Sequence, residues 1–378
     1  MPAVVPEFPP SKVPQQLLGQ SGDELRSLMK RLGEPTYRAA QIYHALYAER
    51  RGSVAAITNL PLALRERLER ETRVSWPRVV RRYNSTDGTV RYVLAWDAAA
   101  DAAINGVPEL KPGASVEAVF MPERERQTIC ISTQAGCAVD CHFCLTATLG
   151  LTRNLSAGEM VGQVLLLLEE NREALRPRTN VVLMGQGEPL LNYDAVMAAL
   201  RIMLDPAGMA ISPRHATLST SGIVPGIERM AQETVRPKLA VSLNASNDVQ
   251  RDALMPINRK YPIAMLLDAC RRYPLRSWEH LTFEYVLMGG TNDAPEDARR
   301  LARLLAGLRC KVNLIPWNPG ELPYRAPEPE AVEEFRRILT ERNFGAFIRY
   351  SRGQDVMAAC GQLALLEDIH PAPSASAS

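Results

Sequence analysis

Between Ser21 and Arg73 the apolar residues recur at helical spacing. Leu25, Leu28, Met29 and Leu32 form one stripe, Ser21 with Glu24 makes an N-terminal capping pair, and Gly33 closes the run. Two further helices are predicted over 38–49 and 62–73. From residue 79 the period changes to two. The stretches 79–84 and 89–96 flank Asp87-Gly88, a dipeptide that favours a tight hairpin turn. A second hairpin is predicted from 116–121 and 127–132, with Ala118, Phe120, Ile129 and Ile131 on one face and Glu117, Val119, Cys130 and Ser132 on the other. A turn between Glu123 and Arg124 would set Glu117 directly opposite Cys130.

Beyond this hairpin, strands and helices alternate. Strands are predicted over 179–184, 216–220, 238–243, 282–287, 311–315 and 346–350. Ser156 with Glu159 caps a helix running to about residue 171, and others cover 193–204, 248–255, 263–272, 295–308 and 328–342. Right-handed crossovers then give an α/β fold: a parallel sheet curled as a partial (βα)6 barrel, preceded by a small N-terminal helical domain and a linking β-hairpin region. The expected boundaries are a disordered N-terminus (1–20), the helical domain (21–76), the hairpin linker (77–127), the barrel with a C-terminal cysteine loop (128–366) and a disordered tail (367–378). In such barrels the chemistry sits at the carboxyl ends of the strands.

Composition narrows the class. The chain has 378 residues, 46% of them apolar, enough for a large core. Its longest aliphatic run, Val164 to Leu168, is too short to span a bilayer, and no signal pattern opens the chain, so a cytoplasmic protein that is not membrane-bound is expected. Seven cysteines, an odd number without an export signal, favour metal or thiol chemistry over a disulfide framework. The overall charge of +2 hides an asymmetry, with +6 in the first 96 residues and −4 in the rest. A basic lobe suits a polyanionic substrate, and a solvated helix face is the competing reading.

Cys137, Cys141 and Cys144 follow the second strand of the second hairpin at spacings of four and three. A structural zinc site normally takes four ligands in two close pairs. Three thiolates instead suit three irons of a four-iron cluster, leaving the fourth iron open to a substrate's amino and carboxylate groups. The competing reading is zinc completed by His142. Gly185-Gln186-Gly187-Glu188-Pro189 ends the next strand, where glycines permit close backbone approach and Glu188 can accept from an amine. Strand ends at Ser219, Ser242 to Asn244 and Asn313 to Pro319 offer hydroxyl and amide groups suited to ribose and carboxylate, although such residues also serve as ordinary turn and cap groups.

The Cys-x-x-x-Cys-x-aromatic-Cys loop resembles that of radical S-adenosylmethionine enzymes. With Gly187-Glu188-Pro189, Met255-Pro256-Ile257-Asn258, Trp317-Asn318-Pro319 and Ala359-Cys360-Gly361 in this order, the chain is similar to the dual-specificity ribosomal and transfer RNA adenine C2-methyltransferases over roughly residues 26–366. The resemblance implies a radical S-adenosylmethionine barrel with a [4Fe–4S] cluster on Cys137, Cys141 and Cys144. It implies S-adenosylmethionine, two molecules per turnover, bound by Gly187, Glu188, Ser219, Ser242, Leu243, Asn244 and Asn313. It makes Cys360 the methylated cysteine, Cys130 the resolving thiol that forms a transient disulfide with it, and Glu117 the proton acceptor. The implied partners are ribosomal RNA, transfer RNA and an external flavodoxin-like electron donor, the enzyme acting as a monomer. The related adenine C8-methyltransferases share the same cysteines, and a non-catalytic RNA-binding metalloprotein is the rival from another class. Relatives often carry His at 244 and Met at 186, where this chain has Asn and Gln; Asn can hydrogen-bond but not titrate near neutrality. Cys270 and Cys310 read as core residues.

Overall fold

Two capping boxes fix where helices begin, one ahead of the barrel and one within it. Ser21 and Glu24 satisfy each other's backbone N–H groups ahead of helix Gly22–Arg31, and Ser156 and Glu159 do the same for Ala157–Glu170. The computed structural model describes residues 14–96 and 115–365, together with the backbone of two short strands, Ala103–Ile104 and Val107–Pro108. The tail expected over 367–378, and most of the start expected over 1–20, lie outside the described residues. None of the described helices is long and apolar enough to cross a membrane.

The central sheet has ten strands. Seven are parallel and are labelled here β1 (Arg126–Cys130), β2 (Arg178–Leu183), β3 (Ala216–Thr220), β4 (Lys238–Ser242), β5 (Leu281–Leu287), β6 (Cys310–Pro316) and β7 (Gly345–Ile348). Helices cross over between successive strands, giving six strand–helix units and a closing strand. The antiparallel strands Ser115–Pro122, Val90–Ala95 and Arg78–Asn84 extend the sheet beyond β1, so the barrel stays open between β7 and Arg78–Asn84. The segment after β7 returns across that opening: Gly353 N–H donates to the Asp87 carboxylate (3.1 Å), and Asp355 accepts from Ser85 Oγ (2.5 Å) and Thr86 N–H (3.0 Å).

The helices Gly22–Arg31, Arg38–Tyr47 and Leu62–Glu71 share one hydrophobic core with the barrel, from Leu17 to Leu339. Tyr43 Oη donates to Asp205 (2.9 Å) across the two parts. Gly158 permits the contact, since a Cβ there would lie 2.3 Å from the Leu18 carbonyl oxygen.

The second hairpin corrects one expectation. Glu123 N–H donates to the Arg126 carbonyl (2.8 Å), so the turn falls at Arg124-Glu125, and Val119 rather than Glu117 lies opposite Cys130. The slip is two residues, which keeps every side chain on its face, so alternation alone cannot detect it. Glu117 pairs in register with Val93 instead.

Candidate active site

The cysteine loop is held by a strand pair that periodicity did not reveal. Gln134–Gly136 runs antiparallel to Leu151–Asn154, and Cys137 N–H donates to the Gly150 carbonyl (3.0 Å). Gly136 adopts φ +77°, and any Cβ there would fall 1.7 Å from the Gly150 oxygen, so the approach requires glycine. Cys144 N–H then bonds the Cys141 carbonyl (3.0 Å) and the chain enters a short helix, Leu145–Thr148. Cys137, Cys141 and Cys144 line one cavity. Burial pushes the Cys137 thiol up to about 12 and Cys141 well above its ordinary value, each raised further by its neighbours' negative charge. A cationic centre is what would let Cys137 and Cys141 ionise together. Among the described residues no three His, Cys, Asp or Glu side chains form a group that could hold a single metal ion. Cluster ligands need no such convergence, because each thiolate binds a different iron. His142 is turned away: its Nδ1 lies 2.8 Å from the Ala253 carbonyl and its Nε2 3.6 Å from Asp140. The zinc reading thereby loses its fourth ligand, and the donor set fits a three-cysteine cluster.

The opposite wall is made by strand ends. Gly185 and Gly187 pack against protein rather than open space: a Cβ on either would meet Ile131 at 2.8 Å or Gln134 at 2.6 Å. Their closeness brings Glu188 into the cavity wall, where its carboxylate accepts from Leu190 N–H (3.0 Å), Ser221 N–H (2.7 Å) and Ser221 Oγ (2.8 Å). Burial raises its pKa and these bonds oppose the rise. Ser219 Oγ donates to Glu284 (3.1 Å) and lies 3.4 Å from Ser242 Oγ. Asn244 takes the left-handed conformation (φ +57°) that Asn tolerates, accepts from Val286 N–H (2.9 Å) and points its amide nitrogen at Met255 Sδ (3.3 Å). Beneath these residues Arg251 is fully buried, donating to the carbonyls of Leu243, Ser221 and Ser242 and to Asn258 Oδ1. This gives Asn258 its task. The cation also opposes the upward shift of Cys141.

Cys360 borders the same cavity. Leu145 N–H donates to the Gly361 carbonyl (2.8 Å), Thr146 Oγ1 to Leu363 (2.7 Å) and Asn318 Nδ2 to the Cys360 carbonyl (3.3 Å), tying its loop to the cysteine loop. Cys130 is buried beside Val119, Val356, Ala358 and Leu363; burial raises its thiol first, and the neighbouring Cys360 second. Glu117 stands behind this layer, outside the cavity lining. It is fully buried, with Oε1 on Arg91 Nη1 (2.8 Å) and Oε2 accepting from Leu365 N–H (3.1 Å) and Gln186 Nε2 (3.3 Å). Burial raises its pKa and Arg91 opposes that.

Of the residues the sequence singled out, Cys137, Cys141, Cys144, Cys360, Gly187, Glu188, Ser219, Ser242 and Asn244 meet at one cavity. Leu243 and Asn313 do not. The Leu243 side chain is buried in the core, and Asn313 Oδ1 accepts from Arg349 Nε (3.0 Å). Asn318, five residues on, lines the cavity instead, as does Glu284. Asn318 belongs to the Trp317-Asn318-Pro319 motif but was not assigned a contact, and Glu284 was overlooked, although a lone charge in the strand Leu281–Leu287 is a visible signal. Cys270 is buried and Cys310 half-buried, away from the site.

Comparison with known proteins gives a consistent picture. The Radical SAM superfamily profile matches residues 131–304, and that of the ribosomal RNA large subunit methyltransferase N-terminal domain matches 15–74. A probable dual-specificity RNA methyltransferase RlmN from Koribacter versatilis is 48% identical over 89% of this chain and 97% of its own. The corresponding Anaeromyxobacter dehalogenans protein is 49% identical over 90% of each chain. A crystal structure of a radical SAM methyltransferase from Sphaerobacter thermophilus, 44% identical, superposes with TM-score 0.84 over 93% of this chain and 99% of that one.

Proposed function

The chain belongs to the dual-specificity RNA methyltransferase family of the radical S-adenosylmethionine superfamily, and from that premise we propose that it methylates C2 of adenine in ribosomal and transfer RNA through a methylated Cys360. The observation that carries this reading is the placement of Cys360 on the cavity of the three loop cysteines, with Cys130 beside it.

C2 of adenine lies between two ring nitrogens and is too electron-poor to attack a sulfonium methyl as a nucleophile. A [4Fe–4S] cluster with bound S-adenosylmethionine supplies one-electron chemistry that avoids this mismatch. Cys137, Cys141 and Cys144 hold the cluster. Glu188, Ser219, Ser242 and Asn244 hold the donor's amine, carboxylate and ribose, with Gly187 and the Leu243 backbone shaping the wall; Asn318, on the cavity, takes the amide role that the family resemblance gives to Asn313. The Cys360 sulfur would take its methyl group from the first of two donor molecules used in each turnover, releasing the demethylated donor.

Once the Cys360 carbon is joined to C2, two groups finish the reaction. Glu117 removes the C2 proton, which requires the Leu365 end of the loop to lift from its carboxylate. The Cys130 thiolate then attacks Cys360 Sγ. An S–S bond forms, the S–C bond breaks, and its electron pair goes to the carbon, which is protonated to a methyl group. An external thiol reductant reopens the disulfide. A flavodoxin-like protein is the proposed electron donor, a monomer the proposed active form, and the basic segment 21–76 the proposed RNA-binding part.

Anaerobic incubation with the donor, a reductant and transfer RNA, followed by nucleoside mass mapping, should yield 2-methyladenosine. Methylation at C8, or no methylated adenine, would overturn the reading.

A further inference from the structure

The two faces of the parallel sheet differ. Outward residues such as Val181, Leu218, Leu239, Phe283, Val312 and Leu314 are completely buried under the helices. Their inward neighbours Asn180, Thr217, Lys238, Lys311 and Asn313 are half-buried, and Arg178 is exposed. A closed barrel fills its interior with branched apolar side chains; this open one mixes Val182, Ala240, Val286 and Ile315 with the polar residues, and the charges sit at the amino-terminal ends of the strands.

Register places cations along that inner face. Arg126 of β1 lies directly opposite Arg178 of β2, Lys238 of β4 opposite Thr217, and Lys311 of β6 opposite Thr282. His215 precedes β3 by one residue, and Arg349 follows β7. Ser219, Ser242 and Glu284 sit on the same face nearer the strand ends, in the cavity wall. Lys238 and Ser242 are four residues apart, which is about 13 Å along a strand.

The free protein gains little from this arrangement. Like charges directly opposed across a ladder destabilise it. Arg126 and Arg178 have exposed carboxylate partners, Glu123 at 2.7 Å and Glu125 at 3.0 Å, and exposed pairs contribute little. Among the described residues Lys238 and Lys311 form no ion pair; Glu279 and Glu284 attract them only at longer range. Burial and neighbouring cations push both amines, and His215, downward.

We propose that this inner-face band, centred on Lys238 and Lys311, is a phosphate-binding track that holds the RNA strand flanking the nucleotide presented to the cavity. The inference rests on the RNA-methylating function. A phosphate backbone supplies the paired countercharge that Lys238 and Lys311 lack, and each neutralised phosphate releases a counterion. Residues so placed anchor the strand without reading its sequence.

The test is the salt dependence of binding to a stem-loop RNA with an adenine in its loop, read by fluorescence anisotropy. In Lys238→Gln/Lys311→Gln the slope of log K against log salt should be shallower by about 1.4 to 1.8, and Lys238→Arg/Lys311→Arg should keep the wild-type slope. Should the double Gln variant fail to fold, each single Gln variant should be shallower by roughly 0.7 to 0.9. Gln variants with the wild-type slope would overturn the track while leaving the RNA reading intact. A wild-type protein that binds this RNA without salt dependence would overturn both.

Discussion

Replacing Arg91 with Met should destabilise the protein by about 3–5 kcal/mol, the usual cost of stranding one partner of a buried ion pair. Arg91 and Glu117 are both fully buried and joined at 2.8 Å. Without the guanidinium, Glu117 keeps only the Leu365 and Gln186 donors for a charge that burial already disfavours. The variant also loses the stacking of Arg91 over Tyr83, whose ring centroid lies 4.2 Å away, worth up to about 2 kcal/mol when desolvated. Arg91 Nε and Nη2 have no hydrogen-bond partner, so their loss costs nothing. The sign with pH follows from the raised Glu117 value. Removing Arg91 raises it further, so the deficit is least in acid, where the carboxyl is protonated folded and unfolded. It grows as pH rises through the raised folded-state values, above the ordinary Glu value of about 4.3. Thermal melts at pH 5 and pH 8 read this out, with a midpoint lower by about 5–10 °C at the higher pH. Adding Glu117→Gln should recover more than half of the loss. A single variant within about 1 kcal/mol of wild type at pH 8, or a double variant no better than the single, would refute the reasoning.

Asn318→Ala should weaken S-adenosylmethionine binding several-fold, whereas Asn313→Ala should leave it within experimental error; calorimetric titration of the cluster-loaded protein separates them. Gly187→Ala should lower both folding yield and iron content, because its Cβ would sit 2.6 Å from Gln134 Cβ at φ +99°. Cys130→Ala should accumulate a covalent protein–RNA adduct, visible as nuclease-resistant mass on the protein. Cys360→Ala should lose methylation and keep its iron, while iron loss would make Cys360 a ligand.

Elements whose cues are local could be read from the sequence. Apolar stripes gave Tyr193–Leu204 and Ile263–Arg272 with their observed bounds, and alternation gave Ala216–Thr220. Helix Val224–Ala231 went unnoticed because Pro225 and Gly226 look like breakers, although proline is welcome in a first helical turn. Nine of the candidate site residues meet at the cavity because strand ends converge wherever parallel strands curl together. What escaped depends on partners distant in the chain. Arg251 is held by Ser221, Leu243 and Asn258, and Glu117 is sealed by Arg91, Gln186 and Leu365. The hairpin slip escaped because a shift of two preserves every face.

The chemistry rests on three thiolates at one cavity that leave one iron of a cluster open to the methyl donor. Electron paramagnetic resonance of the anaerobically reconstituted, reduced protein tests it most directly. The expected outcome is a four-iron cluster whose signal shifts when S-adenosylmethionine is added; bound tetrahedral zinc, or a cluster signal indifferent to the donor, would rule this chemistry out.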